Sequence, residues 1–180
     1  TYMRQQAHIN EKMRAILIDW LVEVHLKFKL VPETLYLTVN LIDRYLLGSP
    51  VERSNLQLVG VSALLLASKY EEIYPPEVRD LVYITDRTYT RNQILTMESV
   101  MLNTLKFRMT VPTTMVFLER FLKAAGLHRD KENKKDAWAA STYLCERMLQ
   151  EYKMLRFRPS VVAAACVSLG LLARGQEPQR

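Results

Sequence analysis

Glycine and cysteine are scarce in this chain, at five and two of its 180 residues. Gly48, Gly60, Gly126, Gly170 and Gly175 form no phosphate-cradling loop, and no strand stands before any of them, so no nucleotide site is expected. Cys145 and Cys166 lie far apart in helical patterns and fit neither a CxxC metal motif nor a dense disulfide framework. They read as small buried thiols of an intracellular, reducing compartment. His8, His25 and His128 have no metal-ligand spacing to one another or to the cysteines. They read as neutral surface or interface residues, and neither a metal nor a cofactor is expected. Apolar runs long enough to cross a bilayer, about 18 residues, are also missing. The longest weakly polar stretch, LQLVGVSALLLAS from Leu56 to Ser68, is shorter and contains Gln57, which predicts a buried core helix and no membrane partner. No segment alternates strictly between apolar and polar residues, so the fold is predicted to be all-α. The paired carboxylates Glu71 and Glu72 sit at a helix end beside Lys69, where a solvated charge cluster is the ordinary outcome. No catalytic residue is assigned, and the chain does not read as an enzyme.

What is present is a chain of ordinary globular composition, 49% hydrophobic and 24% charged, able to bury one sizeable core or two small ones. It opens on a threonine with no charged-then-apolar signal after it, as a domain taken from a longer protein would. The segment NEKMRAILIDWLVEVHLKFK, from Asn10 to Lys29, is predicted to be the central helix. Met13, Ile16, Leu17, Trp20, Leu21, Val24 and Phe28 form one stripe, and Ala15, Ile18, Val22 and Leu26 carry apolar character around most of the remainder. Asn10 is its expected N-cap. Arg14 falls among Leu17, Ile18 and Leu21, so its guanidinium heads inward and needs a carboxylate; Asp43, on the next helix between Val39 and Leu46, is the candidate.

Along the chain, residues 1–9 read as the end of a helix preceding the central one. Helices then follow from Pro32 to Leu46, broken by Gly48 and Pro50, from about Arg53 to Lys69, from Glu77 to Ile84, and from a Thr90/Gln93 capping box through Leu105. After Pro112 the pattern restarts: a helix to Ala125, a charged loop from Gly126 to Lys134, a helix to about Tyr152 and another from Pro159 to Arg174. Leu41-Ile-Asp-Arg-Tyr-Leu46 recurs as Leu144-Cys-Glu-Arg-Met-Leu149, and Val61-Ser62 with Leu65-Leu66-Ala67 recurs as Val167-Ser168 with Leu171-Leu172-Ala173. The restart predicts two copies of one helical unit, with counterparts of the fourth and fifth helices lacking before a polar tail, GQEPQR. Positive charge belongs to the second copy: 14 Lys/Arg against 7 Asp/Glu from residue 106 onward, compared with 11 against 12 before it.

The segments Met13–Glu23, Leu56–Gly60 and Ala67–Glu77 resemble the cyclin box of mitotic cyclins, in wording similar to the B-type branch with the A-type branch second. The resemblance implies two tandem cyclin boxes, over residues 1–108 with the preceding helix and over an incomplete 109–180. It implies a non-catalytic subunit that binds and activates a cyclin-dependent Ser/Thr protein kinase in cell-cycle (G2/M) control, in the nucleus and cytoplasm. By the same resemblance, Lys69 and Glu98 grip backbone groups around the kinase's mobile helix, and Phe107 makes an apolar contact to it. Met13, Ile16, Leu17, Trp20 and Glu23, with Arg53, Leu56, Gln57, Ile84 and Asp86, resemble a groove that docks Arg-x-Leu segments of substrates and inhibitors. Without the resemblance, Lys69 would merely complement a helix dipole, Glu98 would be a surface charge, and the apolar groove members would be core.

A second reading is a basic nucleic-acid-binding module, since tandem helical units of this kind are similar to those of general transcription factors that contact promoter DNA. The cations are spread over several helices with no aromatic-interleaved basic patch, which argues against it. A bare structural adaptor is a third reading, one that leaves the motif unexplained.

Overall fold

The computed structural model describes residues 2–127 and 135–173. The expectations for His128, for most of the Gly126–Lys134 loop and for the GQEPQR tail lie outside these residues. The chain divides into two compact units, Thr1–Val111 and Pro112–Arg180. Eight α-helices and no strand are found among the described residues.

The first unit holds α1 (Glu11–Phe28), α2 (Pro32–Gly48), α3 (Leu56–Glu71), α4 (Val78–Ile84) and α5 (Arg91–Thr104). Asn10 caps α1, its Oδ1 accepting from the Met13 amide at 2.9 Å. Pro32 occupies the first turn of α2, where a missing amide costs nothing. The residue before it, Val31, has no side chain able to cap. Glu72 supplies the cap from across the unit, its Oε1 accepting from the Val31 amide at 2.8 Å and from Thr34 Oγ1 at 2.5 Å. Glu72 is therefore a structural cap rather than part of a solvated cluster. The Thr90/Gln93 capping box closes the start of α5 in both directions, and a second box, Glu77/Asp80, starts α4.

α3 is the core of this unit. Every residue from Leu56 to Ser68 except Gln57 is buried, with α1, α2 and α5 packed around it. A Cβ at Gly60 would meet Leu17 Cδ1 at 2.7 Å, so the bare backbone there is what admits α1 so close. Three boundaries differ from the sequence expectation: α2 runs on to Gly48, Arg53–Asn55 form a separate 3-10 turn, and α3 runs on to Glu71.

The residues before α1 also differ, because they form only a 3-10 turn at Met3–Gln5 rather than the end of an α-helix. Tertiary hydrogen bonds set their course. Gln6 Nε2 donates to the Leu46 and Ser49 carbonyls at 2.6 and 2.8 Å, and Gln6 Oε1 accepts from the Val51 amide. Tyr2 Oη donates to Asp43 Oδ1 at 2.7 Å. The same carboxylate receives Arg14, from Nε to Oδ1 at 2.6 Å and from Nη2 to Oδ2 at 2.7 Å. Arg14 is 1% exposed, so this is a bidentate pair inside the protein. Burial by itself lowers the guanidinium's pKa; Asp43, by hydrogen bond and charge, outweighs it, and the net shift is upward.

The scarcity of glycine is met at the helix ends. α1, α4 and α5 all close with an amide reaching back five residues, Leu30 to His25, Arg87 to Val82 and Phe107 to Leu102. The left-handed residue this closure needs is Lys29, Asp86 or Lys106 rather than glycine. His25, expected at a surface or interface, is buried in the first of these turns and pairs with the Val31 carbonyl at 3.1 Å.

The second unit has α6 (Thr114–Ala124), α7 (Lys135–Gln150) and α8 (Pro159–Leu172), with a 3-10 turn at Tyr152–Arg156. One side-chain bond recurs at the repeat's spacing. Thr38 Oγ1 donates to the Thr34 carbonyl inside α2, and Ser141 Oγ, 103 positions on, donates to the Ala137 carbonyl inside α7. Cys145 and Cys166, distant in sequence, are brought together across α7 and α8, where the two side chains share a hydrogen bond. Leu169 and Leu172 are exposed, whereas Ala63 and Leu66, 106 positions earlier on α3, are buried.

The buried pair generates a prediction. Arg14→Met alone should strand the Asp43 carboxylate and cost about 3 to 5 kcal/mol. The triple variant Arg14→Met, Asp43→Leu, Tyr2→Phe removes all the charge together and should cost less than the single one. Urea unfolding of the two proteins checks the order, and a larger loss in the triple variant would refute it.

Candidate functional site

Two surfaces of the first unit collect the residues singled out from the sequence. The first lies at the C-terminal end of α3. Lys69, in its last turn, reaches Glu98 in the middle of α5, with Nζ and Oε1 2.6 Å apart. The Lys69 side chain is 48% exposed and that of Glu98 11%, so Glu98 is a buried carboxylate and not a surface charge. Ser62 Oγ, two turns earlier on α3, donates to the Ile94 carbonyl and fixes the register of the two helices. The Ser68 hydroxyl beside Lys69 is buried with no hydrogen-bond partner among the described residues.

Phe107 follows α5 in a turn where Lys106 and Phe107 are both left-handed, at φ 52° and 56°. Two such residues in succession are a strained conformation for side chains with a Cβ, of order 1 to 3 kcal/mol each. The turn leaves the Phe107 ring 67% exposed. The segment after α3 presents two more large apolar groups, Ile73 at 87% and Tyr74 at 89% exposure, in a stretch that Glu72 ties to the start of α2. Sequence reasoning did not assign them a role, although two bulky apolar residues directly before Pro75 and Pro76 are a legible sign of a loop that cannot fold them inward. Tyr70, also exposed, pairs with Thr110 through the two hydroxyls at 2.5 Å.

The second surface is a groove of about 400 Å³ lined by Met13, Ile16, Leu17 and Trp20 of α1, Arg53 of the 3-10 turn, and Leu56 and Gln57 at the start of α3. Leu17 and Leu56 form its buried floor, while Ile16 is 61% exposed. The exposure of Ile16 and Leu26 corrects the expectation of a helix apolar and covered on most sides: α1 buries one face and leaves another open. The wall that carries Arg53 is held from two directions, by Gln6 on the Ser49–Val51 strand of backbone and by Tyr89 Oη on the Ser54 carbonyl at 2.6 Å. Seven of the ten groove residues are thus brought together. Glu23, Ile84 and Asp86 do not line this cavity. Ile84 ends α4 and Asp86 follows it, and α4 meets the far end of α1 where Lys27 Nζ stands 5.7 Å from the centre of the Tyr83 ring.

Among the described residues, no three His, Cys, Asp or Glu side chains gather as metal ligands, and no helix is long and apolar enough to cross a membrane. Comparison with known proteins gives this geometry its family. The model of the cyclin N-terminal domain matches residues 1–110, and that of the cyclin C-terminal domain matches residues 112–178. The chain belongs to the cyclin family. It is 57% identical over 166 residues to Cyclin-B2-1 of Oryza sativa subsp. japonica, covering 92% of this chain and 38% of that protein. With the G2/mitotic-specific cyclin-2 of Medicago sativa it shares 56% over 167 residues, 93% of this chain and 49% of that one. This cyclin chain therefore spans less than half the length of these B-type and mitotic relatives. Its fold is that of a viral cyclin from herpesvirus saimiri, with a TM-score of 0.87 at 20% identity over 99% of this chain and 77% of that one. A chain in the yeast RNA Pol II CTD kinase complex superposes with a TM-score of 0.78 at 13% identity, covering 94% and 57%.

The acidic end of α3 in this cyclin carries a pH signature. The Glu71 carboxyl is pushed above its ordinary value by desolvation first, then by the neighbouring charges of Glu33 and Glu72. An acid whose folded-state pKa is raised holds its proton better in the folded chain, so stability falls as pH rises past 4.5 and Glu71 ionises. Glu71→Gln should therefore raise the Tm near neutral pH and leave it unchanged at about pH 3, where both forms are uncharged at this position. Melting curves at the two pH values check this; an equal gain at both would show that charge is not the cause.

Proposed function

We propose that this chain forms the kinase-binding and substrate-docking part of a regulatory subunit that binds and activates a cyclin-dependent Ser/Thr protein kinase in G2/M control, with no catalytic residue of its own. The observation that carries the reading is the surface at the end of α3. There a half-exposed lysine paired to a buried glutamate stands with exposed Phe107, Ile73 and Tyr74 on a rigid helical frame. Large apolar groups held out in water around a polar anchor have the composition of an interface centre.

Activation follows from differential binding. A subunit that binds the kinase better with its mobile helix inward shifts the population toward that state, and moving a 1:99 balance to 99:1 takes about 5.5 kcal/mol of preference. Burying one large apolar side chain contributes roughly 1.5 to 3 kcal/mol, so Phe107, Ile73 and Tyr74 together are of the right order if they are buried only against the inward state. Lys69, with donors beyond its bond to Glu98, can hold partner carbonyls at the same time. The groove on α1 serves a separate purpose in this reading: it takes the leucine of an Arg-x-Leu segment and raises the local concentration of substrate.

Two measurements test the proposal. Glu98 has Lys69 as its hydrogen-bond partner, so Lys69→Ala would disturb stability as well as binding. Phe107→Ala avoids that confusion. Its Tm should stay near that of the parent, the stability change being within about 0.5 kcal/mol. Its association with a cyclin-dependent kinase should weaken by about 2 kcal/mol, roughly thirtyfold. Retained kinase binding and activation would sink the reading. For the groove, Met13→Ala with Trp20→Ala should slow phosphorylation of a substrate bearing Arg-x-Leu and spare a minimal peptide without it. Equal loss on both would make these residues structural only.

A further inference from the structure

The groove's lining on α1 begins at Met13. One helical turn toward the start of α1 lies a second, shallower hollow of about 460 Å³, lined by Met3, Arg4, Ile9, Asn10, Glu11 and Lys12. The two share no lining residue, but Lys12 of the hollow lies on one stripe of the helix with Ile16 and Trp20 of the groove, the three being four residues apart and one above another. At 1.5 Å per residue, Lys12 is only about 6 Å along the axis from Ile16, a distance that an extended peptide covers in about two residues.

The hollow differs from the groove in charge. Arg4 and Lys12 are exposed and neither makes an ion pair among the described residues. Glu11 is the one acid in the lining, in the first turn of α1, where a carboxylate complements the free amides. At the other end, Glu23 stands three residues past Trp20 on the same stripe, exposed. A docked segment with a cationic and an apolar residue is therefore polarised: its arginine belongs toward Glu23, its leucine toward Met13 and Ile16, and the residues after the leucine run onto the hollow.

We propose that Arg4 and Lys12 form a specificity subsite that selects docking segments carrying an acidic residue two or three positions after the leucine. The proposal rests on the docking reading of the groove and adds to it a preference on one flank. Both cations are solvent-exposed, so the preference is modest and fades with salt.

The test is fluorescence anisotropy of labelled Arg-x-Leu peptides on the 180-residue chain at about 0.05 M salt, where screening is weak. One peptide carries Glu two and three positions after the leucine, a second has Gln there, and a third has Glu ahead of the arginine. The first should bind about three- to tenfold more tightly than the second, and the third should gain nothing. In the Arg4→Glu, Lys12→Glu double variant the advantage should vanish, a Lys-flanked peptide should now be preferred, and the Gln peptide should bind as before. An advantage that survives the double variant overturns the subsite. Equal gains from acids on either flank overturn it too, since they point to general attraction by a cationic chain. If the Gln peptide binds the Met13→Ala, Trp20→Ala variant as well as the parent, the docking reading itself fails and the subsite falls with it; that pattern is distinct from the other two.

Discussion

A guanidinium inside a protein is tolerable only where its partner cannot move away, and that constraint organises the first unit. Arg14 is held bidentately by Asp43, which also receives the Tyr2 hydroxyl. Three pieces of chain that share little else are thereby locked together: the segment before α1, α1 itself and α2. Apolar packing by itself fixes the roll of α1 only loosely, since Ile16 and Leu26 beside the buried face are apolar as well. The charge pair holds it, because rotation would pull the guanidinium off a carboxylate in a poorly solvated site. The ion pair thus fixes the side of α1 turned inward, and the opposite side carries the exposed Lys12, Asp19, Glu23 and Lys27 together with Ile16 and the half-buried Met13 and Trp20.

The same fixed arrangement explains why the N-terminal segment needs no helix of its own. Gln6 satisfies two carbonyls and one amide at the turn between α2 and α3, work that would otherwise fall to water. Its extended backbone follows from those bonds. Because that turn leads directly into the 3-10 turn bearing Arg53, a residue before α1 stiffens the opposite wall of the groove. Glu72 has the corresponding role at the other surface, where capping α2 holds down the loop that exposes Ile73 and Tyr74.

Helix placement and the buried pair were legible in the sequence because both depend on strong local signals: capping residues, the 3.6-residue period, and an arginine where only apolar neighbours can be. The two-unit repeat was legible from short recurring strings, and the Thr38 and Ser141 hydroxyl bonds, 103 positions apart, fall at matching places in it. What could not be read are matters of tertiary geometry. Glu98 looks like any acid on a polar helix face, and only the packing of α5 on α3 buries it. Glu72 looks solvated until the start of α2 arrives beside it. Ile16 and Leu26 carry the same apolar character as their buried neighbours, so periodicity cannot say that the helix keeps one flank uncovered. Ile73 and Tyr74 belonged to the family motif but were passed over as a site, because a motif marks a stretch without saying which of its side chains face out.

Both candidate surfaces are built on α3, and its geometry bears on whether they can influence each other. Leu56 and Gln57 contribute to the groove at its first turn, and Lys69 to the other candidate surface at its last. The dozen residues between them span roughly 18 Å. Groups that far apart with no shared partner generally act additively, and coupling needs an element with two discrete arrangements between them. α3 offers none: the intervening residues are buried on all sides, small where α1 crosses at Gly60, and held in register with α5 by Ser62. A segment seated in the groove would press on Leu17, and Leu17 rests on the bare backbone of Gly60, a point where the groove floor meets the spine. A close-packed contact of this kind transmits little unless the helix shifts as a body, which the Arg14 pair opposes through α1. Under the proposed function, docking and activation are therefore separate affinities carried by one rigid helix: substrate choice can vary at the groove while the hold on the kinase stays constant.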